Sequence, residues 1–274
     1  LISSKRSDSL IEVFDISDPY NLVFVKSFYN NTYFGNVEDF KVSGDILYIG
    51  DNVNSYLSSW NISNINDWIY LDHVSTIFSR EISIFGDVLI AGSGNLNFIN
   101  ISDPSNLNLY QTFSNASIGS IKDLKIVGNY MHTYSYAGGN SELGYHIWNM
   151  SNFSNPVEIG HVLSDPGTAS LYNAQILVKD NFVFYSYDEK NIRIVDFSNP
   201  LNPVINLTLE VINSSYKTDE IIRYINFLND DFLSVYSGNR FFIYNFSDVG
   251  SISLVKIFNC LLYTSDAADE EDSV

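Results

Sequence analysis

Apolar and polar residues alternate with a period of two along most of this chain, in short runs broken by Gly, Asn, Asp and Pro. Successive side chains of a strand point to opposite faces, so the pattern predicts half-buried β-strands. The clearest run is Phe40-Lys41-Val42-Ser43, then Gly44-Asp45, then Ile46 to Ile49. Gly-Asp and Gly-Asn accept the positive φ of a tight turn, so alternation on both sides of them marks a hairpin. The same arrangement returns around Gly86-Asp87 and Gly128-Asn129, and more weakly around Asp180-Asn181 and Asn229-Asp230.

A second motif lies between these hairpins. An apolar residue, Asp or Asn, an apolar residue and Ser recur with the acid or amide at Asp15, Asn61, Asn100, Asn149, Asp196 and Asn245. Asp and Asn side chains bond local backbone amides and so stop a strand. Strand A, hairpin, strand B, strand C ending at this motif, then strand D repeat every 40–50 residues or so, which is the signature of a β-propeller blade. A β-solenoid has shorter coils without such hairpins. The expected fold is therefore all-β, a β-propeller of four-stranded blades. Five full blades are expected at residues 37–76, 80–114, 119–163, 171–210 and 220–259. Residues 9–28 supply strands C and D of an earlier, partial blade.

The stretch Asn191-Ile192-Arg193-Ile194-Val195-Asp196, followed by Pro200 and Pro203, resembles an LVIVD repeat. Glu12 to Pro19 and Asn97 to Pro104 are good copies. The copies at Trp60, Trp148 and Tyr244 depart, with an aromatic before Asn and no Pro at the usual place. The resemblance covers residues 9–258. It implies a propeller of bacterial or archaeal surface or secreted proteins and leaves the chemistry open.

Composition narrows the picture. Asp and Glu number 32 against 14 Lys and Arg, a net charge of −18. Nucleic-acid binding needs a basic surface to displace counterions and is disfavoured. No apolar run reaches the roughly 18 residues that span a membrane, so no membrane-spanning segment is expected in the visible chain. The chain starts at Leu1, and residues 1–8 read as linker or truncated upstream sequence. From Cys260 to Glu270 the text resembles read-through of a sequencing adapter, so 260–274 reads as an artefactual tail that carries the one cysteine. The chain is strongly acidic even without it.

No nucleophile elbow, phosphate loop or dinucleotide fingerprint is present in the sequence. Asp39, Glu81 and Asp123 each stand just before the first apolar residue of strand A, with Gln175 and Tyr224 at the same place in later blades. Repeat-equivalent residues point the same way, so these groups form an expected ligand-binding rim, with the loop aromatics Tyr33 and Phe34 beside it. Clustered carboxylates hold Ca²⁺ weakly. Lys41 and Lys125, two residues on, offer ion pairing instead. Of four histidines, three fall in one blade, and His132 and His146 lie on adjacent strands where they could face each other; no local carboxylate spacing supports a metal pair, so no metal ligand and no catalytic residue is assigned. Asn-x-Ser/Thr sequons outside the repeat motif give candidate glycosylation sites at Asn30, Asn115, Asn206 and Asn213. The reading is a non-enzymatic scaffold or binding module for a protein or glycan, extracellular or on the cell surface, without a cofactor. The rival is a propeller hydrolase or lyase acting on glycans.

Overall fold

The structure, a computed structural model, describes residues 2–5, 9–15, 17, 23–30, 32–33, 35–51, 53–75, 81–92, 94–114, 120–136, 144–163, 175–188, 190–211, 221–237 and 240–259. These contain strands, turns and no helix. The fold is a β-propeller, and its sheets are antiparallel meanders. The first sheet holds β1 (Ile2–Lys5), β2 (Leu10–Asp15) and β3 (Val23–Tyr29). The second holds β4 (Val37–Ser43), β5 (Ile46–Asp51), β6 (Tyr56–Asn61) and β7 (Ile69–Ser75). The third is β8 (Glu81–Phe85), β9 (Val88–Gly92), β10 (Leu96–Asn100) and β11 (Asn108–Phe113). The fourth is β12 (Ser120–Val127), β13 (Tyr130–Tyr136), β14 (Gly144–Asn149) and β15 (Val157–Leu163). The fifth is β16 (Ile176–Lys179), β17 (Phe182–Ser186), β18 (Asn191–Asp196) and β19 (Val204–Glu210). The sixth is β20 (Ile222–Phe227), β21 (Phe232–Ser237), β22 (Arg240–Asn245) and β23 (Ser253–Asn259). The five four-stranded sheets fall inside the five expected blades. The first sheet has a third strand, because Ile2–Lys5 pairs with β2.

The two sequence motifs act as anticipated from their chemistry. Gly44, Gly86 and Gly128 sit in equivalent turns with φ of +58°, +57° and +57°, and Asp180 takes the same place at +51°. In all six copies of the second motif the Asp or Asn Oδ1 accepts the backbone N–H two residues on, from Ser17, Ser63, Ser102, Ser151, Ser198 and Ser247, at 2.8–3.0 Å. The bond ends strand C by turning the chain out of the ladder. In five sheets the next N–H then bonds the carbonyl of the A–B turn, as Ile62 does to Asp45 at 2.8 Å.

The chain divides into two compact units. Residues 1–166 with 199–203 form the first, and residues 167–198 with 204–274 the second. Within each, the core lies between consecutive sheets. In β5, Leu47 and Ile49 enter one apolar cluster with Ile11 and Val13, while Tyr48 enters another with Leu89 and Ile99. Both faces of the middle strands are therefore buried, which is why they read as near-continuous apolar runs. In the second unit Phe184, Ile192 and Ile194 meet Ile225, Leu233 and Phe242. The fourth strands are the outer edges of their sheets; β3 and β19 are largely exposed, whereas β7 is mostly half-buried.

One irregularity recurs where the third and fourth strands pair. Each sheet has a register shift there, at Val13/Phe14, Ser59/Trp60, Phe98/Ile99, Ile147/Trp148, Ile194/Val195 and Ile243/Tyr244. The extra residue lies on the outer strand and turns the following side chains to the other face.

Candidate functional site

The row of strand starts occupies a second recurring bulge. Register shifts between Val37 and Asp39, Ile121 and Asp123, and Ile222 and Tyr224 re-aim the row residue at each site. Asp39 Oδ1 accepts the N–H of Phe40 at 2.8 Å, and its Oδ2 accepts that of Ile82, in the next sheet, at 2.9 Å. Lys41 Nζ closes on the same carboxylate at 2.7 Å. Asp123 repeats this with the Leu124 N–H at 2.8 Å and Lys125 Nζ at 2.6 Å. In the second unit Gln175 takes the Asp39 role, its Oε1 accepting the Ile225 N–H at 2.8 Å.

Glu81 stands between the two Asp–Lys pairs. Burial, and then the charges of Asp123 and Asp39, push its carboxyl up to about 9 against the partial relief of Lys125 and Lys41. Burial works to lower Lys125, but Asp123, Glu81 and Asp39 outweigh it and hold it above the usual lysine range. At neutral pH the row is therefore two ion pairs around a carboxyl that keeps its proton. Of the three carboxyls, that of Asp39 also joins its sheet to the next.

The aromatics divide differently. Phe34, Asn115 and Asn213 lie outside the described residues. Tyr33 does not sit beside Asp39: its ring stacks on Tyr70 at 4.1 Å and lies 5.6 Å from His73, both on β7. β4 and β7 are the two edges of one sheet, about 14 Å apart at the usual strand spacing. Tyr224, at the row position of the sixth sheet, is 53% exposed and directly opposite Tyr236, which is 36% exposed. Asn30 caps its own turn, accepting the N–H groups of Thr32 and Tyr33 at 2.9 and 3.0 Å. Asn206 is the exposed extra residue of the β19 bulge.

His132 and His146 do not face each other. Register pairs His132 with Ile147 and His146 with Thr133, so the two imidazoles point to opposite faces of the sheet. His132 is fully buried, with Nδ1 2.7 Å from the Tyr145 hydroxyl, and burial lowers it to about 4. The cross-strand partner of His146 is His161, and Glu158 joins them: its Oε1 lies 2.9 Å from His146 Nδ1 and 3.0 Å from His161 Nδ1. Period two places residues 158 and 161 on opposite faces, and the bulge at Ile159 puts them on one. Sequence reasoning missed this group for that reason.

LVIVD repeats are matched at residues 34–64, 79–114 and 172–210. The LVIVD-repeat model thus matches three separate stretches of the chain. The matched stretches fall on the second, third and fifth sheets, and the copy read at Asn191–Asp196 lies within the third match. No curated protein matches the chain in sequence. Solved structures share its fold at low identity. A functionally unknown protein from Desulfotomaculum acetoxidans is 14% identical, with a TM-score of 0.71 over 94% of this chain and 79% of the other. A protein from Lactobacillus plantarum is 12% identical, with a TM-score of 0.75 over 94% and 80%. A periplasmic gluconolactonase of Pseudomonas aeruginosa is 11% identical, with a TM-score of 0.68 over 92% and 80%. Among the described residues, no helix is long and apolar enough to cross a membrane.

Proposed function

We propose that this LVIVD propeller is a non-enzymatic binding or scaffold module for a protein or glycan, placed outside the cell or on its surface. The observation that supports it most is the exposed cross-strand pair Tyr224 and Tyr236 in the second unit. Two partly exposed phenol rings give a partner a rigid apolar area and polar tips at low entropic cost. The acidic row argues in the same direction, because the carboxylates of Asp39 and Asp123 are engaged in ion pairs. The sequons and the acidic composition support the extracellular placement. The test is an array of immobilised oligosaccharides and peptides, probed with the wild type and a Tyr224→Ala/Tyr236→Ala variant. Retention of one ligand class, weakened about tenfold or more in the variant, is expected. Equal retention by both proteins would overturn the reading.

A second reading, a hydrolase or lyase acting on glycans or sugar lactones, is favoured by one feature. Glu81 keeps its proton at neutral pH, the state a general acid needs. The Pseudomonas aeruginosa neighbour is named a gluconolactonase. Turnover of a sugar lactone or glycoside that disappears in Glu81→Gln would establish it over the first.

A further inference from the structure

The outer strands of the first unit share a joining device. In β7, opposite Ser59, Asp72 accepts the Leu107 N–H through Oδ2 at 2.7 Å. In β11, opposite Phe98, Gln111 donates through Nε2 to the Ser154 carbonyl at 3.0 Å. Each side chain reaches the connection that leaves the third strand of the next repeat. In β15 the same place, opposite Ile147, is Gly160. No side chain reaches out there, and Pro203, which stands where Leu107 does, has no N–H to give. The backbone itself closes in: a Cβ on Gly160 would lie 2.2 Å from the Pro200 carbonyl oxygen. Beside this contact a cavity of about 410 Å³ remains, lined by Glu158, Gly160, His161, Asn202 and Pro203 among others.

Two of the cavity residues, Glu158 and His161, together with the cross-strand His146, also depart from the repeat. The positions of His146, Glu158 and His161 correspond to Ser58, Tyr70 and His73 in the second sheet, and to Asn97, Leu109 and Thr112 in the third. In the fifth they correspond to Arg193, Ile205 and Thr208. Among the described residues only the fourth sheet brings together three groups that ligate metals, each offering an atom within 4.8 Å of the others.

We infer that His146, Glu158 and His161 bind a divalent transition-metal ion of the zinc class, with one coordination position left for water or a small ligand donor. Two imidazoles and a carboxylate suit Zn²⁺ and disfavour Ca²⁺ and Mg²⁺, which take oxygen ligands. Zinc bonds near 2.0–2.1 Å set ligand atoms about 3.3 Å apart across a tetrahedral edge. The present 2.9 and 3.0 Å separations need to open by only a few tenths of an ångström. The assembly allows this, since the His161 side chain is 46% exposed while that of His146 is buried. The His146 ring is anchored at Nδ1, its buried Nε2 having no hydrogen-bond partner among the described residues. Glu158 Oε1 holds both rings in their ligating direction when no ion is bound. Three protein ligands leave a fourth place for water or a small ligand donor.

The test is calorimetric titration of Zn²⁺ into the full chain, with His161→Ala, Glu158→Gln and His73→Ala variants alongside. One zinc per chain is expected. Loss of either ligand is expected to weaken binding about 100-fold or more, since even residues that only support ligands are worth 10–100-fold. His73→Ala removes the corresponding histidine of the second sheet and is expected to change nothing. Calcium and magnesium at a hundredfold excess should not compete. A second readout is the visible absorption of Co²⁺ bound by the wild type, lost in Glu158→Gln. No zinc binding at 100 µM, equal binding by all four proteins, or equal weakening in His73→Ala would overturn the site.

Discussion

The carboxylate of Asp39 accepts the backbone N–H of Ile82 at 2.9 Å, so a side chain of one sheet closes the hydrogen-bond account of the next. Ile82 is almost fully buried, and its amide has no water to turn to. Asp39→Ala is expected to cost about 1–3 kcal/mol, the cost of an orphaned buried donor. Asp39→Asn keeps an acceptor and is expected to cost less than half of that. Urea unfolding of the three proteins checks it, and Gln175→Ala should repeat the loss through Ile225.

Stability should fall as pH rises above neutrality. Glu81 titrates near 9 in the folded protein and near its ordinary value of 4.5 when unfolded. Between these values the folded state holds a proton that the unfolded state has lost. Its stabilisation is complete below the unfolded value and disappears as pH climbs through the folded one. The slope from this group is at most about −1.4 kcal/mol per pH unit. Melting temperatures from pH 7 to 9 should decline more steeply for the wild type than for Glu81→Gln.

His132 gives the opposite limb. Burial lowers it from 6.5 to about 4, so in that window the unfolded chain takes up a proton that the folded one refuses. Acidification from pH 6.5 to 4 therefore destabilises through this residue. Between 4.5 and 6.5 the Glu81 and His132 contributions have opposite signs and largely cancel. His132→Gln should keep a hydrogen bond toward the Tyr145 hydroxyl and remove the cancelling limb, so its melting temperature should rise on acidification from pH 6.5 to 4.5 where that of the wild type stays nearly level.

Gly160→Ala should destabilise by about 1–3 kcal/mol, because the Pro200 carbonyl stands where the methyl would go. Gly94→Ala, with nothing within 4 Å of the new methyl, should stay within about 0.5 kcal/mol of wild type. Thermal unfolding of the pair separates a packing effect from a general glycine effect.

The sheets were legible because local chemistry marks them twice per repeat. Gly44-Asp45 and its equivalents turn the first hairpin, and Asp15, Asn61 and their equivalents end the third strand with a side-chain bond to a near neighbour. Both signals act within two or three residues and so survive in the text of the chain. The ion pairs of Lys41 and Lys125 were equally local. Period two failed where the ladder slips. Ile159 adds a residue to β15, and a register shift of that kind has no composition of its own. The placement of Tyr33 depended on the path of its loop, which carries it to β7 rather than to the strand that follows it. The short strand Ile2–Lys5 is recognised only by its partner β2.

The bond from Asp39 to Ile82 also gives the propeller an internal reporter. An amide proton normally exchanges with solvent when its own strand frays. That of Ile82 is guarded by a group some forty residues earlier, so its exchange rate records whether the preceding sheet is in place. The Ile225 amide, guarded by Gln175, does the same in the second unit. Comparing the two rates under mild denaturant would show whether the repeats open singly or in neighbouring pairs.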